Sequence, residues 1–180
     1  MNGVVGMTEL RSRTALSALP ATISAPGQYC LAKDYSVNMT TGNLIVISSN
    51  GVSLDCAGHA LRNSASSASA SSNAITLNSR NDIVIKNCRI VGGFNTGINV
   101  TQNNAVGNKN YYVTIDNNYI AGPTLHGIRA YGSAIEITNN RISANSIEPR
   151  AALGDYAADS DSYTLYTTSQ NPHGFRSQLA

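Results

Sequence analysis

The sequence predicts an all-β chain wound as a solenoid of short parallel coils, and three observations carry that prediction. A phrase of the form apolar-x-apolar-x-Asn-polar-x-Ile occurs at Ile83–Ile90, returns 30 residues later at Val113–Ile120, and 22 further on at Ile135–Ile142. A second short apolar run precedes each copy: Ala74–Leu77, Gly97–Val100 and Gly127–Ala130. The polarity between these runs is uncharged, with 21 Asn and 21 Ser against 2 Phe and no Trp. Such a composition supplies hydrogen-bonded turns, not the charged faces of a helical bundle.

Taken in chain order, the first unit is a variant, Leu44–Ile47 followed by Val52–Gly58, and three closer copies follow it. Each unit holds two or three alternating apolar/polar runs rich in Ile and Val and bounded by Gly and Asn, which is strand periodicity. A repeat as short as 22 residues, carrying several strands and no tight hairpin, fits one turn of a coil stacked on the next. Ile83, Ile85, Val113, Ile115, Ile135 and Ile137 are then expected to point inward as columns, with Val84, Thr114 and Glu136 outward. Asn87, Asn117 and Asn139 fall at one bend, where their amides are expected to form a structural ladder from coil to coil. The Ser/Ala tract Arg62–Ser72 and the polar stretch Thr101–Asn110 read as loops leaving the coil. The resulting division is an N-terminal segment 1–22, a β-helix domain 23–144, and a tail 145–180 that caps the coil or is disordered. An uncapped last coil exposes strand edges, so self-association through the C-terminal end is a further expectation.

Composition excludes several function classes. Twelve Lys+Arg against ten Asp+Glu leave a net charge of +2, too little for nucleic-acid binding by counterion release. No apolar run reaches the roughly 18 residues of a membrane span, and Met1–Leu10 has neither the basic start nor the apolar stretch of a signal peptide. Cys30, Cys56 and Cys88 show no metal-site spacing, and His59, His126 and His173 are scattered, so no metal is expected. One disulfide plus a thiol and three free thiols are both compatible with the spacing. Asp55, ahead of Ala57-Gly58, reads as the cap of a turn, and Cys88 as a small buried hydrophobe.

The stretch Ile23–Leu31, then Ile45–Ile47, then Val52–His59, resembles the first coil of right-handed parallel β-helix proteins of the pectin-lyase-like superfamily, and the later Ile-x-Asn-Asn-x-Ile copies resemble that superfamily's repeats. The resemblance runs from Ile23 to Ser143 and implies a right-handed parallel β-helix of four to five coils. It implies a disulfide between Cys30 and Cys56, and an extracellular or periplasmic setting. It also implies that the first strand of each coil lines a groove for polysaccharide. The outward positions there are Val46, Thr76, Asn99 and Arg129 in one column and Ser48, Asn78, Thr101 and Tyr131 in the next, with His126 just ahead of the last strand.

The superfamily's hydrolases need paired carboxyl groups across the scissile bond, and none of these outward residues is Asp or Glu. Its Gly-His-Gly is only partly kept by Leu125-His126-Gly127, and Ile128-Arg129-Ala130 lacks the Lys of its Arg-x-Lys. A lyase would need a base, for which Arg129 and His126 are the candidates, and a calcium site. Asp116 and Glu136, offset by two positions on adjacent second strands, make a poor cage for that ion. The expected function is therefore noncatalytic, with Thr76, Asn78, Asn99, Thr101, Arg129 and Tyr131 contacting a glycan and no cofactor required. A uronate lyase using calcium and a structural, tailspike-like assembly role are the alternatives.

Overall fold

The computed structural model describes residues 13–65, 72–101 and 111–143, with the strand backbone of 164–166. Every regular element among them is a β-strand. A leading strand β1 (Thr14–Leu16) is followed by five rungs of three. These are β2 (Ala21–Ile23), β3 (Gly27–Leu31) and β4 (Tyr35–Val37); β5 (Asn43–Ile47), β6 (Val52–Asp55) and β7 (Ala60–Asn63); and β8 (Asn73–Asn78), β9 (Asn81–Lys86) and β10 (Arg89–Gly92). The fourth rung is β11 (Thr96–Thr101), β12 (Tyr111–Asp116) and β13 (Tyr119–Ala121), and the fifth is β14 (His126–Ala130), β15 (Ser133–Thr138) and β16 (Arg141–Ser143). A last strand, β17 (Thr164–Tyr166), lies in the segment read as tail and pairs with β15.

Equivalent strands stack into three sheets, all with parallel pairing. The first sheet is β2-β5-β8-β11-β14, the second β1-β3-β6-β9-β12-β15-β17, and the third β4-β7-β10-β13-β16. The chain thus winds as a parallel β-solenoid that makes about four turns between its first and last rungs. Parallel stacking already starts at Thr14 and at Ala21, ahead of the boundary expected at residue 23.

Strand alternation explains the interior. In the second sheet Val52, Ile83, Val113 and Ile135 form one inward column and Leu54, Ile85, Ile115 and Ile137 the next, all buried. The six inward residues expected from the repeat are among them. The first sheet contributes Ile45, Ile75, Ile98 and Ile128, the third Leu61, Ile90 and Ile120, and Phe94 fills the corner between those two sheets. Each such side chain contributes on the order of 1.5–3 kcal/mol by leaving water.

Corners between sheets repeat too. Entering the second sheet, Gly51, Asp82, Tyr112 and Ala134 all have positive φ; leaving it, Ala57, Asn87, Asn117 and Asn139 do. Asn suits this conformation because its short amide can bond to nearby backbone. Gly92, with φ 93°, is required where the third sheet ends, since a β-carbon there would overlap the carbonyl of Asn63. The segments 66–71 and 102–110, most of the two expected loops, and nearly all of 144–180 lie outside the described residues.

Two expectations are corrected at the corner leaving the second sheet. The disulfide joins Cys56 to Cys88, not Cys30 to Cys56, and Cys30 is a free thiol. The reason is register: Cys56 and Cys88 are inward-facing on neighbouring rungs at one corner, whereas Cys30 sits within β3, opposite Asp55. The outer Asn ladder is also shorter than expected. The Asn117 amide donates to Asn87 Oδ1 at 2.8 Å and the Asn87 amide to Asp55 Oδ1 at 2.9 Å, but Asn139 donates to Asp116 Oδ1 at 2.8 Å instead of to Asn117.

Candidate functional site

The outer face of the first sheet gathers the expected groove residues. Val46, Thr76, Asn99 and Arg129 are in register across β5, β8, β11 and β14. Two residues further along the chain are Ser48, Asn78, Thr101 and Tyr131, with Asn78 opposite Thr101. Rungs are about 4.8 Å apart, so Thr76, Asn99, Arg129, Asn78, Thr101 and Tyr131 form a grid of hydrogen-bonding side chains, two columns by three rungs.

Several of these groups are already oriented. Thr76 Oγ1 donates to the carbonyl of Asn99 at 3.3 Å and Thr101 Oγ1 to that of Leu77 at 3.2 Å, which orients both hydroxyls. The Arg129 guanidinium lies over the Tyr131 ring at 5.0 Å from its centroid and donates to the Tyr131 hydroxyl oxygen at 3.2 Å, two contacts that hold it beside that ring. Asn99 Oδ1 is buried and has no hydrogen-bond partner among the described residues. His126 heads β14 in register with buried Thr96, while Arg129 is opposite outward-facing Asn99. The two candidate bases are three residues apart on one strand and do not share its face.

No strand of the first sheet contains Asp or Glu. Asp116 and Glu136 are on the second sheet, where Thr114 and not Asp116 is opposite Glu136, and Asp116 Oδ1 accepts from Thr138 Oγ1 and the Asn139 amide, both at 2.8 Å. No group of three or more His, Cys, Asp or Glu converges among the described residues. Tyr112, at the corner bordering the first sheet, is 68% exposed and has φ 57°, a conformation costly for an aromatic residue.

Carboxylates elsewhere do structural work. Burial opposes the charge on Asp55. The Asn87 amide, the Ala57 N–H at 2.9 Å, Arg13 at 3.2 Å and Lys86 at 3.9 Å outweigh it and hold the carboxyl below its ordinary range. Asp55 is therefore the turn cap its position suggested. Asp34 is also lowered, by the Ala60 N–H at 3.0 Å and then by His59 at 3.1 Å.

Sequence reasoning missed two features. The first is an inner ladder: the buried Asn118 amide donates to the carbonyl of Ile85 at 3.2 Å and that of Asn140 to the carbonyl of Ile115 at 2.8 Å. Their Oδ1 atoms accept from the N–H groups of Cys88 and Asn118, each at 2.9 Å. The doublets Asn117-Asn118 and Asn139-Asn140 were the signal. The second is a shallow open concavity of about 370 Å³ at the corner leaving the second sheet, bordered by Asn87, Asn117, Arg89 and Tyr119. No protein-family model, curated protein or solved structure matches the chain.

Proposed function

We propose that this chain is a noncatalytic β-helix domain that binds polysaccharide along the outer face of its first sheet, and that it belongs with the pectin-lyase-like β-helices its motif order resembles. The observation that carries this reading is the grid of Thr76, Asn78, Asn99, Thr101, Arg129 and Tyr131, in register over three rungs and free of carboxylates. Hydroxyls and amides repeating at strand spacing suit the hydroxyls of a sugar chain, and the stacked Arg129 suits an acidic sugar. Glycosidic hydrolysis or elimination needs positioned acids or bases, and the outer face that carries the grid offers only an Arg already engaged by Tyr131, His126 falling on the other side of its strand. The Cys56–Cys88 bond fits an extracellular or periplasmic setting, where disulfides persist.

A glycan-array screen followed by titration calorimetry tests the proposal. The wild-type chain is expected to bind an acidic polysaccharide such as polygalacturonate, and Arg129→Ala to weaken that binding by about tenfold, the worth of one charge-assisted contact. Calcium-dependent release of unsaturated product by the wild type would replace this reading with a lyase.

A further inference from the structure

We infer that the third sheet carries a second anion site, separate from the grid on the first: Arg89 and Arg141, flanking Tyr119, form a clamp for the carboxylate or sulfate groups of an acidic glycan. Arg89, Tyr119 and Arg141 are in register on β10, β13 and β16. Each guanidinium lies over the Tyr119 ring, Arg89 at 5.6 Å and Arg141 at 5.7 Å from its centroid, approaching from the rungs on either side. A cation on an aromatic face keeps its N–H edge free for an oxyanion.

Both arginines are exposed, and among the described residues neither pairs with a carboxylate. The acids close to this column by register or sequence are engaged elsewhere: Asp34 by the Ala60 N–H, His59 and Arg62, Asp55 by Arg13 and Lys86, and Asp116 by Thr138 and Asn139. Arg89 and Tyr119 also border the concavity at this corner, with the outward Asn87 and Asn117 across it. Two positive groups thus face solvent two rungs, or roughly 10 Å, apart beside a polar hollow.

That arrangement suits a polymer bearing anionic groups along its length. A nucleic acid usually stacks its bases on aromatic faces, whereas Arg89 and Arg141 already lie over the Tyr119 ring. The inference is independent of the first-sheet grid, and its test separates the two.

Binding of polygalacturonate, a sulfated dextran and neutral dextran to the full chain is measured by titration calorimetry at several salt concentrations. Wild type, Arg89→Gln/Arg141→Gln, Arg89→Lys/Arg141→Lys and Arg129→Gln, the last alone and combined with the double Gln change, are compared. The double Gln variant is expected to lose about tenfold in affinity for a charged glycan and to lower the salt slope by about two, one per guanidinium. The double Lys variant should retain the slope, and the loss caused by the double Gln change should be the same in an Arg129→Gln background as in wild type, as for two independent sites. Whichever charged polymer binds tighter identifies carboxylate or sulfate as the anion. Equal affinity of wild type and the double Gln variant, absence of binding to both charged polymers, or tighter binding of a single-stranded oligonucleotide would overturn the inference. Thermal melts of the variants matching wild type would confirm that the changes are local.

Discussion

The corner leaving the second sheet is held in two ways along one stack. Between rungs two and three it is closed covalently by Cys56–Cys88, with the Cα atoms 4.7 Å apart, close to the strand spacing. Between rungs four and five the same inward corner holds Asn118 and Asn140, whose amides satisfy buried backbone groups of adjacent coils. The two devices meet at Cys88, whose N–H is accepted by Asn118 Oδ1 at 2.9 Å. The difference teaches that this corner requires a small inward residue and a partner for each buried N–H. Whether the link is a sulfur bridge or an amide is secondary to that demand.

The largest expected effect comes from removing the amide end of the comparison. Asn118→Leu deprives the Cys88 N–H and the Ile85 carbonyl of partners in a buried corner, and should destabilise the chain by about 3–5 kcal/mol in chemical denaturation. Removing the covalent end, as Cys56→Ala/Cys88→Ala, should cost about 2–4 kcal/mol, because the bond closes a loop with a sequence separation of 32. A loss for the Cys pair well above that for Asn118→Leu would reverse the ranking. The smallest effect is on the outer side of the same corner. Asp55 has a lowered pKa, so its contribution to stability is fully present above the ordinary carboxylate range and fades as pH falls through its folded value. Asp55→Asn should therefore flatten part of the acid-side fall in Tm below about pH 4, leaving the portion due to Asp34. An unchanged acid limb would mean that the Asp55–Asn87 contact does not persist in solution.

Much of the architecture was readable because it depends on periodicity. Ile83, Ile85, Val113, Ile115, Ile135 and Ile137 sit at every second position of their strands, and alternation decides which side of a strand is dry. The spacing of the copies then fixed which residues share a column, including Thr76, Asn99 and Arg129. What escaped depended on a half-step of register at the bends. The Cys56 corner contains Cys-Ala-Gly-His before β7, two residues more than the Asn-Cys and Asn-Asn corners above it, so counting alone did not align Cys56 with Cys88. Asn139 missed the outer ladder because Asp116, one position earlier on the neighbouring rung, is a stronger acceptor than an amide. The Arg89–Tyr119–Arg141 column occupied the variable position of the repeat, where differing residue types concealed a shared location.

Parallel, in-register stacking underlies both proposed glycan faces, and the cysteines report on it most directly. Proteolysis and mass spectrometry of the alkylated, unreduced chain folded under oxidising conditions should recover a Cys56–Cys88 crosslink with Cys30 carrying the alkyl group. A crosslink that includes Cys30, or alkylation of all three cysteines, would contradict the register on which the columns depend.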